Sequence, residues 1–90
     1  MAKFRVLLQA QPEKVYRKAD TKTARLLSEC FEHLEADPFA RPGRIKRLRG
    51  QDNLYRYRAG SLRIIYEIDL PNLRVGILAV LPRDDAYKRF

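Results

Sequence analysis

Eight cationic side chains, Arg41, Arg44, Lys46, Arg47, Arg49, Arg56, Arg58 and Arg63, fall in a stretch whose one acid is Asp52. The chain carries a net charge of +8, yet residues 1–40 hold seven cations against six carboxylates and residues 64–90 hold four against four. The basicity therefore belongs to one local surface. Clustered guanidinium and ammonium groups hold anions, and neutralising phosphates releases their condensed counterions, so the cluster is the electrostatic footprint of a nucleic-acid binder. A solvated charged face accounts for the charge alone equally well, and spacing adds the distinction. In the segment Leu54 to Arg58 a period of two puts Arg56 and Arg58 on one face, opposite Tyr55 and Tyr57. The hairpin that follows brings Arg63 near them. A cation row on a rigid ladder, with a third cation across the turn, suits a bent phosphodiester backbone.

Other reactive residue types are scarce. With one cysteine, Cys30, and one histidine, His33, no internal disulfide and no His/Cys zinc cluster can form, so neither metal nor cofactor is expected. Cys30 lies on an apolar helical stripe and reads as core, while His33 lies off it and reads as solvated. Tyr16, Tyr55, Tyr57 and Tyr66 alternate with apolar residues and read as packing groups. Tyr87 differs: it sits in the polar segment Pro82 to Phe90, where no periodic pattern requires a tyrosine. The chain has neither an apolar run of membrane-spanning length nor a signal-peptide pattern, so a cytoplasmic protein without membrane contact is expected.

The elements that must position these groups follow from periodicity. Ninety residues, 46% of them apolar, suffice for one domain spanning 1–90. Phe4 to Leu8 reads as a first strand. Pro12 suits the first turn of a helix carrying Val15, Tyr16 and Ala19. Asp20 can cap a second helix with Leu27, Cys30 or Phe31, and Leu34 on its stripe, and Asp37-Pro38 stops it. After a loop from Asp37 to Gly43, four strands are expected: Ile45 to Leu48, Leu54 to Arg58, Leu62 to Asp69 and Leu73 to Leu81. The turns between them are too short for parallel crossovers, which predicts an antiparallel meander. In the third of these strands Leu62, Ile64, Tyr66 and Ile68 should face the core.

Three stretches taken together resemble the RelE/ParE toxin superfamily, on its RelE side: Ile45-Lys46-Arg47-Leu48-Arg49-Gly50, the hairpin from Leu54 to Ile68, and Arg83-Asp84-Asp85-Ala86-Tyr87. The resemblance spans nearly the whole chain. It implies the toxin of a type II toxin–antitoxin pair, a ribosome-dependent endoribonuclease (mRNA interferase) that cuts messenger RNA in the ribosomal A site and inhibits translation. The implied fold is α+β and RelE-like, an antiparallel meander sheet of about four to five strands with two N-terminal helices packed on one face. Its reaction, attack of the ribose 2′-hydroxyl on the adjacent phosphorus, requires no metal. The implied partners are a small acidic antitoxin encoded beside the toxin, the ribosome and messenger RNA.

Carried over by position, the resemblance implies a catalytic set of Arg56, Arg58, Arg63, Arg83 and Tyr87. Arg63 and Arg83, both expected to be exposed, would clamp the scissile phosphate while Arg56 and Arg58 supply charge and orientation. Tyr87 would stack on or hydrogen-bond the substrate and join proton transfer. Arg41, Arg44, Lys46, Arg47, Arg49, Lys88 and Arg89 would hold RNA and ribosome. Two departures bear on the chemistry. Arginines stand where some relatives have lysines on the central strand, and an arginine with a pKa above about 12 is a poor proton shuttle. Leu81-Pro82 precedes Arg83 where many relatives have a histidine, so the general base is unassigned. A ParE-like inhibitor of DNA gyrase and a non-catalytic RNA-binding module are the alternative functions.

Overall fold

The computed structural model describes residues 4–39, 43–48 and 53–83. In chain order these form β1 (Arg5–Leu8), α1 (Ala10–Lys18), α2 (Thr21–Ala36), β2 (Ile45–Arg47), β3 (Leu54–Ala59), β4 (Leu62–Asp69) and β5 (Arg74–Pro82). One sheet has the order β1-β5-β4-β3-β2. β2 to β5 are the expected meander, each antiparallel to the next. It folds back so that β5 lies beside β1, parallel to it, with Leu8 opposite Ile77. The α+β fold thus has a five-stranded mixed sheet, because a short apolar strand carries no mark of its partner's direction.

Both helices start as the sequence dictates. Pro12 is buried in the first turn of α1, where its missing N–H leaves no hydrogen bond unmade. Asp20 caps α2 by accepting from the Thr23 amide at 2.8 Å, and its hydrogen bonds to Thr23 hold the carboxyl below its ordinary pKa. The stripe Leu27, Cys30, Phe31 and Leu34 is buried against one face of the sheet, where Ile64, Tyr66, Val75 and Ile77 complete the core. The four tyrosines pack as expected. Tyr16 meets Ser28 Oγ at 2.6 Å and Phe31 edge-on, Tyr55 stacks on Tyr66, and the Tyr66 hydroxyl donates to the Pro38 carbonyl at 2.7 Å. Burial pushes the Cys30 thiol well above its ordinary pKa, in keeping with a core residue.

Two features shape the far side of the sheet. The β4–β5 register shifts so that Ile65 faces Ala79 but Tyr66 faces Ile77, leaving Leu78 as the extra residue of a bulge. Ile77 and Val80, three apart, then both reach the helix-covered core. Where β1 has ended, Gln11 takes its place on the β5 edge: its Nε2 donates to the Val80 carbonyl and its Oε1 accepts from the Val80 amide, both at 2.8 Å. The second feature is an apolar cluster of Leu48, Ile65 and Leu81 on the face away from the helices. Ile65 is therefore as buried as its core-facing neighbours.

Candidate nucleic-acid interface

On that second face, alternation along β2, β3 and β4 lines up cations across strands. Lys46 faces Arg56, which in turn faces Ile65, and Arg58 faces Arg63. Together with Arg44 and Arg83 these four side chains wall a groove of about 380 Å³. The apolar cluster lies on the same face as the cations. Apolar surface beside the cations screens their field less than water would and strengthens it toward an anion.

Directly opposed like charges destabilise a strand pair, and Arg58 and Arg63 are such a pair. Arg63 relieves the conflict by turning its guanidinium onto the hairpin: Nη1 donates to the Gly60 carbonyl at 2.9 Å and to the Leu62 carbonyl at 2.8 Å. It is only 6% exposed. This corrects the expectation that Arg63 lies open to solvent: its guanidinium folds back onto the turn, whose carbonyls accept from it, and it keeps its charge. Gly60 adopts φ +58 there, the left-handed conformation that a two-residue hairpin turn requires. Arg83 is exposed, and its backbone amide donates to the Ser61 carbonyl at 3.1 Å. Arg83, the residue that follows β5, is thereby fixed over the same turn.

Of the residues singled out from sequence, Arg44, Lys46, Arg56, Arg58, Arg63 and Arg83 are brought together. Arg47, opposite Tyr55, falls on the helix-facing side of β2 and does not line the groove. Arg41, Arg49, Tyr87, Lys88 and Arg89 lie outside the described residues. His33 is exposed, as expected, and also has a partner: its Nδ1 is 2.7 Å from the Tyr57 hydroxyl, and the Arg44 guanidinium carbon lies 6.0 Å from the Tyr57 ring centre. Nothing in the sequence pairs a helical position with a strand position 24 residues on. Among the described residues no three His, Cys, Asp or Glu side chains gather as a metal site, and no helix is long and apolar enough to cross a membrane.

Solved structures share this architecture. A chain of the archaeal RelE–RelB complex from Pyrococcus horikoshii OT3 is 28% identical, with a TM-score of 0.78 over 90% of this chain and 96% of that one. One from the Mycobacterium tuberculosis RelBE2 toxin–antitoxin complex (23%, 0.71, covering 89% and 98%) and the isolated E. coli RelE toxin (17%, 0.75, covering 96% and 97%) share the fold. No functionally curated protein matches the sequence. The class is that of the small type II toxins built on the RelE/ParE fold. Within it, the chain belongs to the family described as the ParE toxin of the type II toxin–antitoxin system parDE, which it matches over residues 3–87.

Proposed function

We propose that this toxin is a ribosome-dependent endoribonuclease that cuts messenger RNA in the A site and so stops translation. The observation that carries the reading is the convergence of six cations, from β2, β3 and β4 and from the residues just before β2 and just after β5, on one groove beside an apolar cluster. In the reaction the 2′-oxygen bonds to phosphorus, the bond from phosphorus to the 5′-oxygen breaks, and the products are a cyclic phosphate and a 5′-hydroxyl. The proton leaves the 2′-hydroxyl and another reaches the departing 5′-oxygen. Fixed guanidinium groups stabilise the negative charge that develops on the phosphorane oxygens. Arg58 and Arg83, both exposed, are suited to contact the phosphate. Arg63, with Nη1 committed to two carbonyls, contributes charge and holds the turn.

Arginine stays protonated in proteins, so none of these groups takes the 2′ proton. Tyr87 is the candidate that the resemblance supplies. A site strong in charge and poor in proton transfer depends on a substrate already bent for in-line attack, which the decoding centre provides. The test is to compare a naked messenger with the same messenger in a programmed ribosome, with and without EDTA in the naked reaction. We expect phased cuts only on the ribosome; efficient metal-dependent cutting of naked RNA refutes the mechanism.

In the resting state the partner is a small acidic antitoxin, in keeping with the RelE–RelB and RelBE2 complexes that share the fold. Its carboxylates would cover the groove, giving a dissociation rate that rises with salt. Gyrase inhibition is the second reading, favoured by the ParE family match. Overexpression separates the two: codon-phased messenger cuts support the nuclease, DNA breaks and filamentation the gyrase inhibitor. Absence of toxicity would point to an RNA-binding module.

A further inference from the structure

The basic groove does not end at the sheet. The β2–β3 ladder stops at Ile45 opposite Tyr57, with one further bond from the Arg58 amide to the Arg44 carbonyl at 2.9 Å. Beyond it, Ala59 and Gly60 have no strand partner on that edge among the described residues. A cleft of about 120 Å³ lies there between α2 and β3, on the helix side. Glu29, His33, Tyr57 and Gly60 form its walls, and Arg44 and Arg58 belong to both the cleft and the groove. Arg44 reaches over the Tyr57 ring, so the same residue borders both hollows.

The wall chemistry differs from that of the groove. A phosphate would meet the Glu29 carboxylate, which repels it. A nucleobase would find complementary groups: a carboxylate to accept from an exocyclic amine, a guanidinium and an imidazole with flat faces for stacking, and polar hydrogens at the edge. Burial keeps the Tyr57 phenol protonated by raising its pKa, and its hydroxyl is engaged by His33 Nδ1, which fixes the imidazole against the wall. The cleft, at about 120 Å³, is about a third of the size of the groove at about 380 Å³, in proportion to one planar base rather than a longer stretch of RNA.

We propose that this cleft is a nucleobase subsite: it takes one unpaired, amine-bearing base of the RNA strand whose phosphate occupies the basic groove, with His33 and Glu29 as its recognition residues. The assignment rests on the nuclease reading and extends it from phosphate binding to base recognition.

The test uses purified toxin and short single-stranded RNAs made uncleavable by 2′-O-methylation of one nucleotide. An abasic site is introduced on either side of that nucleotide in turn. Wild-type protein is expected to lose roughly tenfold in affinity at one of the two positions, the range of a single stacked base. At that position it should prefer adenosine or cytidine to uridine. In His33→Ala the intact and abasic RNAs should bind alike, and in Glu29→Leu the preference for amine-bearing bases should vanish. Equal binding of intact and abasic RNA by wild type, or undiminished discrimination in His33→Ala, overturns the subsite. If His33→Ala does not fold, retained base preference in Glu29→Leu overturns it instead. Failure of the wild type to bind any of these RNAs at low salt overturns the nuclease reading itself, and this inference with it.

Discussion

Arg63 and Arg83 share one hairpin turn: the guanidinium of Arg63 donates to the carbonyls of Gly60 and Leu62, and the backbone amide of Arg83 donates to the carbonyl of Ser61 between them. Three successive carbonyls are thus engaged by two arginines in different ways. Arg63 uses its side chain, so its charge is part of the fold. Arg83 uses only its main chain, so its side chain is left to face the groove.

Substitutions at the two positions should therefore differ. Arg63→Ala removes charged donors from the part-buried hydrogen bonds to the Gly60 and Leu62 carbonyls and is expected to cost about 2 kcal/mol of stability along with growth inhibition. Arg63→Lys should regain part of that stability. Arg83→Ala keeps its backbone bond, so unfolding should shift by less than about 0.5 kcal/mol while activity falls roughly a hundredfold. Urea unfolding alongside growth arrest at matched expression separates the two; a fully toxic Arg83→Ala would remove that residue from the site.

RNA binding should depend steeply on salt. On single strands each neutralised phosphate contributes a slope of about −0.7 to log K against log salt. Arg58→Ala should therefore flatten the plot by about 0.7 and weaken binding to all sequences alike. An unchanged slope would mean that Arg58 contacts no phosphate.

The side-chain pairing of Gln11 with Val80 should matter for stability, since it serves both main-chain groups of Val80 on an edge that β1 does not reach. Gln11→Ala is expected to cost about 2 kcal/mol in chemical denaturation. Gln11→Glu should cost more, because a carboxylate cannot donate to the Val80 carbonyl and repels it. If Gln11→Ala unfolds at the wild-type denaturant concentration, water replaces the amide without loss.

Alkaline pH should destabilise the fold. Burial raises the pKa of Cys30, Tyr57 and Tyr66, so the folded state keeps protons that the unfolded chain releases near 9.0 for the thiol and 10.0 for the phenols. The stability linked to these groups is complete below the unfolded values and is lost as pH rises through them. The slope should approach about 1.4 kcal/mol per pH unit for each group that stays protonated. Denaturation at intervals from about pH 8 to pH 11 measures it, and Cys30→Ala should remove the earliest part of the fall. A flat profile would show these groups to be solvated.

Local rules made much of the fold legible. Asp20 announced α2 because a carboxylate ahead of an amphipathic run has one obvious use, and Ala59-Gly60 announced the hairpin because a tight turn needs a residue that tolerates positive φ. Alternation along β3 placed Arg56 and Arg58 together. What stayed hidden depends on partners distant in sequence. Phe4 to Leu8 carries no sign that it pairs parallel with β5, and Ile65 sits among polar positions yet is covered by Leu48 and Leu81. Arg63 read as a surface cation because the alternation rule assigns a face, and it is silent on a side chain that bends back along its own turn. His33 is exposed as read, but its hydrogen bond to Tyr57 had no local cue.

The parallel pairing of β1 with β5 sets the order in which a newly made chain can become active. Its first strand emerges from the ribosome early and has no neighbour until Arg74 to Ile77 have followed it out. Closing so long a loop is among the last and slowest steps of folding. Arg83, which follows β5, docks on Ser61 only once β5 has emerged to pair with β4. A chain whose Arg83 has not yet left the ribosome therefore lacks the complete groove, which joins residues as far apart in sequence as Arg44 and Arg83.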